Sequence, residues 1–300
     1  MDKIFESLYK AGCDVRMFEK LSCHTSIKIG GRVKYLVLPN DVFSLERAIT
    51  VLKDFPFQIM GLGTNLLVQD EDLDIAVLKT ERLNQIEIKG EKVLVESGTP
   101  LKRLCLFLME AELGGLEFAY GIPGSVGGAI FMNAGAYGGE IGEFIEAVEV
   151  LKDGRKIWLS KNEIFFGYRD STFKREKLII TRAMMSFKKE KKETIKAKME
   201  DYMRRRLEKQ PLDLPSAGSV FKRPREDFYV GKAIESLGLK GYRIGGAQIS
   251  EKHAGFIVNT GSATFDDVMK LIEFVRKKVK EKYGVELETE VEIWWNGRQW

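Results

Sequence analysis

The chain has 300 residues, 44% of them hydrophobic and 31% charged, with a formal net charge of +4. That length suits two or three domains with cores of their own, and the mild charge suits an anionic small molecule rather than dedicated nucleic-acid binding. No apolar run is long enough to span a bilayer, and the start Met1-Asp2-Lys3-Ile4-Phe5-Glu6 lacks the pattern of a secretory signal. Cys13, Cys23 and Cys105 form no C-x-x-C pair, and neither His24 nor His253 has a partner at metal-ligand spacing. A monomer of the reducing cytoplasm is expected, with no metal, no membrane and no nucleic-acid partner.

Taken in chain order, Val33–Leu38 has the composition of a strand, and Asp41 then caps a helix with the apolar stripe Leu45, Ala48, Ile49 and Leu52. Phe57–Met60, Ile75–Leu78 and Val93–Glu96 are strands. Thr99-Pro100 is an N-cap and first-turn pair for a helix through Leu101, Leu104, Cys105 and Leu108, stopped by Gly114. Strands follow at Ala147–Leu151 and Leu178–Phe187, then a charged helix over 190–209 that ends at Gln210-Pro211. Its run Arg204-Arg205-Arg206 is expected to be a solvated face. After the strand Phe256–Asn259, Thr264 opens a helix with Val268, Leu271, Ile272, Val275 and Val279 on one face and Gly284 beyond its end. Val291–Trp295 is the last strand. The mixed order predicts α+β rather than a doubly wound sheet. The expected division is 1–85, 86–190 and 191–300.

Three glycine-bearing patches stand out. Gly61-Leu62-Gly63-Thr64-Asn65-Leu66-Leu67 follows a strand, but it lacks the third glycine of a dinucleotide fingerprint and the Gly-Lys-Ser/Thr of a P-loop. It reads equally as a turn or as a loop whose N–H groups converge on a phosphate. The segment GIPGSVGGAIFMNAGAYGGEIG carries glycines at 121, 124, 127, 128, 135, 138, 139 and 142. A glycine within a regular element costs about 0.5–1 kcal/mol relative to alanine, so this stretch is not expected to be an ordinary core helix or strand. It reads as a flat backbone channel for an extended cofactor, or else as a set of tight turns. Thr25-Ser26-Ile27-Lys28-Ile29-Gly30-Gly31 adds hydroxyls and a lysine beside two glycines.

These patches, in this order, resemble the flavin-binding half of the UDP-N-acetylenolpyruvoylglucosamine reductase family, within the vanillyl-alcohol oxidase-like FAD superfamily. The resemblance continues through Phe166-Gly167-Tyr168-Arg169-Asp170-Ser171 and Ser216-Ala217-Gly218-Ser219-Val220-Phe221-Lys222. It runs on through Leu239-Lys240-Gly241, Gly245-Gly246-Ala247-Gln248 and Leu287-Glu288-Thr289-Glu290-Val291. It implies a two-part FAD-binding module, the first part over 1–85 and the second over 86–190, and a smaller α+β substrate domain over 191–300. It also implies that NADPH reduces FAD, and that a hydride then passes from flavin N5 to C3 of the enolpyruvyl group on UDP-N-acetylglucosamine. The product is UDP-N-acetylmuramate, a peptidoglycan precursor.

The resemblance assigns Arg169, Ser219 and Glu290 to catalysis. An arginine suits an enolate that develops beside a carboxylate, and a fixed serine hydroxyl can protonate C2. A bare carboxylate would repel that anion, so Glu290 is expected to be protonated or clamped by a cation. The cofactor loops are Thr25, Gly61, Gly63, Thr64, Asn65, Leu66, Gly121, Pro123, Gly124, Ser125, Gly127, Gly128, Asn133, Ala134 and Gly135. The substrate contacts are Tyr168, Lys222, Arg223, Lys240 and His253. Arg223 stands where the family usually has Asn, and the short stretch from Lys174 to Ser216 resembles the shorter subtype, without the inserted tyrosine lid. Asn296–Trp300 lies beyond the family pattern. A flavin oxidase of a small alcohol or sugar would share the glycine loops without needing Arg169, Ser219 and Glu290 together. An RNA-binding module has only Arg204–Arg206 in its favour.

Overall fold

In a computed structural model, residues 2–295 are described, together with the backbone of 298 and 299. The tail Asn296–Trp300 otherwise lies outside the described residues. The chain forms two compact units, one from residues up to 17 with 35–62 and 75–206, the other from 18–34, 63–74 and 207 onward.

In the first unit, α1 (Lys3–Lys10) and α2 (Val42–Val51) share a core with strand residues Tyr35, Val37, Ala76 and Leu78. Asp41 caps α2 in a reciprocal box with Ser44, and the expected stripe is the buried one. The neighbouring sheet has the order Cys13–Lys20, Arg32–Pro39, Leu73–Lys79, Phe57–Met60. A second core lies against a five-stranded sheet in the order Arg155–Ser160, Ile145–Lys152, Ile179–Ser186, Lys92–Glu96, Ile86–Lys89. Its neighbours are antiparallel, as in Val148 opposite Ala183 and Ala183 opposite Val95. The fold class is α+β.

Two helices depart from expectation. The helix α3 (Leu101–Glu110) is capped by Pro100 with no side-chain hydrogen bond. The main chain of Thr99 instead donates to Glu96 and accepts from Val126, and its hydroxyl is buried without a partner among the described residues. Nor does Gly114 stop α3. The helix ends at Glu110, and Gly114 sits in a short strand opposite Lys188, where a Cβ would meet Glu190 at 2.2 Å. The second departure is α4 (Val126–Phe131), a short helix inside the glycine-rich stretch, capped by Ser125. Its Gly127 is buried where a Cβ would lie 2.7 Å from Ser97 Cβ. There glycine permits close helix–strand approach, and that packing offsets its poor helix propensity.

The unit then adds α5 (Thr172–Arg175) and most of α6 (Lys192–Lys209), which starts two residues later than predicted. Arg204 and Arg205 pair with Asp201 at the surface, but Arg206 is buried, with its Cδ packed against Gly121. The arginine run is therefore not one solvated face.

The second unit has its own core. Here α7 (Val230–Ser236) and α8 (Phe265–Tyr283) pack with the sheet Ser216–Ser219, Phe256–Asn259, Ala247–Ile249, Arg243–Ile244. Thr264 and Asp267 form a capping box for α8, and Gly284 ends it with φ +66°. Leu66–Val68 runs parallel to Glu292–Trp295, and Ile27, Ile29 and Leu67 join this core.

Candidate active site

In the first unit the glycine loops lie close together. A Cβ on Gly61 would sit 2.6 Å from Ser125 Oγ, so a side chain at Gly61 would displace the Ser125 hydroxyl. Gly124 has φ +145°, and its carbonyl accepts from Leu101 N–H at 2.9 Å. Ser125 Oγ accepts from Gly128 N–H at 3.3 Å. Below this loop the hydroxyls of Ser97 and Thr99 are buried without a hydrogen-bond partner among the described residues. Glycine-lined backbone of this kind lets a planar cofactor approach the main chain.

Farther along, Asn133 is 1% exposed and has φ +42°. Its amide donates to Glu140 at 2.7 Å and to the Gly167 carbonyl at 3.0 Å, while its oxygen accepts from Gly142 N–H at 3.1 Å. Ala134 and Gly135 continue into a short hairpin that pairs Gly135 with Glu140. Tyr168 and Arg169 are the two central residues of a turn between Gly167 and Asp170. Arg169 has φ +54°, stacks over the Tyr168 ring at 5.0 Å and donates to the Gly135 carbonyl at 3.2 Å. Asp170 pairs with Arg175 at 2.7 Å, a hydrogen-bonded contact that lowers the Asp170 pKa.

In the second unit, Ser219 and Glu290 stand on adjacent segments. Glu290 N–H donates to the Val220 carbonyl at 2.7 Å, and Lys222 N–H to that of Glu288 at 2.9 Å. Ser216 pairs with Val258 but Ser219 with Phe256, so the strand bulges by one residue at Ala217-Gly218, where Gly218 has φ +80°. Asn65 brackets Glu290: its side-chain amide donates to the Glu290 carbonyl at 3.0 Å, and its own carbonyl accepts from Glu292 N–H at 3.0 Å. The Gly63 carbonyl accepts from Ser26 N–H, whose hydroxyl donates to Ser216 at 2.6 Å and reaches Thr64 at 3.4 Å. Leu66 pairs with Glu292. Thr25 is buried, with its hydroxyl donating to the Ile29 carbonyl at 2.8 Å.

Lys222, Arg223, Lys240 and His253, expected at the substrate, lie in this unit. Lys222 pairs with Glu288 at 3.0 Å, and Arg223 stacks over Tyr229 at 4.9 Å. Lys240 pairs with Glu235 at 2.6 Å, and His253 is half-buried, its ring close to Gly231 at the start of α7. His253 Nδ1 accepts from Gly255 N–H at 3.1 Å, and burial pushes its pKa down. Among the described residues, no group of three or more His, Cys, Asp and Glu could hold a metal ion. No helix of the described residues is long and apolar enough to cross a membrane.

Comparison with known proteins adds a decisive observation. Residues 33–160 match a family model for an FAD binding domain, and residues 210–294 match the C-terminal domain of UDP-N-acetylenolpyruvoylglucosamine reductase. The chain belongs to the UDP-N-acetylenolpyruvoylglucosamine reductase family. It is 96% identical to the UDP-N-acetylenolpyruvoylglucosamine reductase of Thermotoga maritima over 95% of this chain and 100% of that one. It is 54% identical to the reductase of Fervidobacterium nodosum over 97% of this chain and 96% of that one. The crystal structure of the reductase from Thermus caldophilus superposes with a TM-score of 0.80 at 36% identity, covering 94% of this chain and 98% of that one.

Sequence reasoning placed the reductase motifs but missed the frames that hold them. The Asn133 clamp, the Asn65 bracket and the contact of Arg206 with Gly121 join residues far apart in sequence. Only the positive-φ tolerance of Asn offered a local hint of the first.

Proposed function

We infer that this chain is an FAD-dependent oxidoreductase, a UDP-N-acetylmuramate dehydrogenase. It reduces UDP-N-acetylglucosamine enolpyruvate to UDP-N-acetylmuramate with NADPH, in peptidoglycan precursor synthesis. The observation that carries this reading is the full-length match to reductases of that name, with an FAD-binding domain in the first half. Bound FAD supplies the hydride carrier between NADPH and the enolpyruvyl group.

We propose that the site residues divide the remaining work. The guanidinium of Arg169 binds the substrate carboxylate and stabilises the negative charge that spreads into it from C2. The Ser219 hydroxyl gives its proton to C2 and is reprotonated from solvent. Glu290, fixed beside Ser219 by main-chain bonds, acts with its charge neutralised, so Glu290→Gln should lose less activity than Glu290→Ala. Equal losses would remove that idea. Lys222, Arg223, Lys240 and His253 serve the nucleotide end, and Tyr168 packs against the substrate. Thr25, Gly63, Thr64, Asn65 and Leu66 are FAD-binding residues in this reading, as are the first unit's loops at 61 and 121–128.

For the division at 1–85, 86–190 and 191–300 the support is three hydrophobic cores, although Ile27, Ile29 and Leu67 pack with the third, Leu151 with the first, and Ile195 and Met199 with the second. We propose a cytoplasmic monomer that works apart from membrane and nucleic acid. The free state of Cys13, Cys23 and Cys105 supports a reducing compartment, and the pairing of Arg204 and Arg205 with Asp201 speaks against a nucleic-acid patch.

An anaerobic visible spectrum tests the function. The flavin band should bleach with NADPH and return on adding the enolpyruvyl substrate. Return only on admitting air would favour a flavin oxidase, and absence of flavin after reconstitution with FAD would overturn the reading.

A further inference from the structure

The glycine-rich loop contains a buried amide, Asn133, expected among the cofactor residues, whose side chain is taken up by protein instead. Asn133 has two N–H donors and a carbonyl with two lone pairs. Both donors and one side of the oxygen are engaged by protein: Glu140 at 2.7 Å, Gly167 at 3.0 Å and Gly142 at 3.1 Å. At 1% exposure the side chain presents almost nothing to a ligand. Its φ of +42° is a conformation that asparagine tolerates better than most residues. Space around it is filled as well, since a Cβ on Gly142 would lie 2.9 Å from its Oδ1.

One of its partners is the carbonyl of Gly167, which opens the two-residue turn carrying Tyr168 and Arg169. A second tie holds the far side of that turn, where Ser171 Oγ donates to the Phe131 carbonyl at 2.7 Å. Arg169 itself closes the frame on Gly135. The central arginine needs such a frame. Residues without the freedom of glycine are strained in the left-handed region, and a turn with positive φ at its second central residue normally takes Gly or Asn there. Strained backbone persists at functional sites where surrounding bonds over-determine it.

We propose that Asn133 is a positioning residue for Arg169. It fixes the turn that aims the guanidinium and does not itself touch flavin or substrate. The proposal rests on the reading of Arg169 as the group that stabilises the developing anion.

The test is a double-mutant cycle followed by stopped-flow of both half-reactions. Asn133→Gly keeps the backbone conformation accessible and removes the clamp. It should leave flavin content and flavin reduction by NADPH within about twofold, and slow reoxidation by the enolpyruvyl substrate about 100-fold, the scale of a misplacement near 1 Å. In an Arg169→Ala background the same change should cost no more than about threefold, because a residue acting through Arg169 has nothing left to position. Equal losses in both backgrounds, or parallel loss of both half-reactions, would overturn the proposal. If Arg169→Ala alone leaves reoxidation intact, the reading of Arg169 fails first, and the single mutants show it. Should Asn133→Gly not fold, Asn133→Asp provides the same comparison: it retains the shape and has at most one donor for Glu140 and Gly167 together.

Discussion

Arg169 and the Ser219–Glu290 pair are held by different means. Around Arg169 the restraints beyond the short hairpin's own pairing are side chains: the Asn133 amide, the Ser171 hydroxyl and the guanidinium's own bond to Gly135, acting on a backbone with φ +54°. Around Ser219 and Glu290 the restraints are mainly peptide groups, with Glu290 bonded to Val220 and Lys222 to Glu288, and one bulge at Gly218 sets the phase of the strand. A main-chain frame survives the loss of the reactive side chain it carries. A side-chain frame is disturbed by substitution at several positions that never meet the substrate. The two regions should therefore respond differently to mutation.

The largest effect is expected on the main-chain side. Ser219→Ala should leave flavin reduction by NADPH unchanged and slow flavin reoxidation by substrate by about 10²–10⁴-fold, with the melting temperature unaltered. Normal rates in both half-reactions would remove Ser219 as the proton donor. Arg169→Gly should come next, with reoxidation slowed by about 10²–10³-fold. Its melting temperature should hold or rise, because glycine relieves a left-handed strain of about 1–2 kcal/mol. A less stable Arg169→Gly protein would show that the guanidinium's contacts outweigh that strain. Gly218→Ala reverses the logic. A Cβ there meets no heavy atom within 4 Å, yet φ +80° disfavours it. The cost should be about 1–2 kcal/mol, read as a fall of a few degrees in melting temperature with a smaller loss of rate. An unchanged melting temperature would mean that the bulge readjusts.

The same contrast explains what was legible in the sequence. Elements with local signals were placed nearly to the residue. Phe57–Met60 and Phe256–Asn259 match their predicted bounds, and Thr264 and Gly284 mark the ends of α8 as expected. Capping and periodicity are properties of neighbouring residues, so one chain suffices to read them. The catalytic assignments came from motif order and remain proposals. What stayed hidden depends on distant contact. Thr99 does not cap α3, its main chain bonding to Glu96 and Val126, and the glycine-rich stretch holds α4, whose Gly127 packs against Ser97. Asn133 and Asn65 read as cofactor-loop residues, and their bonds to Gly167 and Glu290, distant in the chain, left no local signal.

The smallest expected effect concerns pH, and it again falls in the second unit. Burial lowers the His253 pKa, and Lys240 adds to that effect. Nδ1 accepts from Gly255 N–H, so a proton on that nitrogen would set two donors against each other. In the unfolded chain His253 titrates near about 6.5. Below that pH the unfolded state binds a proton that the folded state resists, so ν for the unfolded state exceeds that for the folded state and stability rises with pH. This contribution is complete above the unfolded pKa and is lost as pH falls through the window below it. Melting curves of wild type and His253→Gln between pH 7 and about 5 should separate it from the carboxylates, which titrate lower. The wild type should lose more stability over that interval than the variant. Parallel curves would mean that the ring accommodates its proton, with Nδ1 released from Gly255.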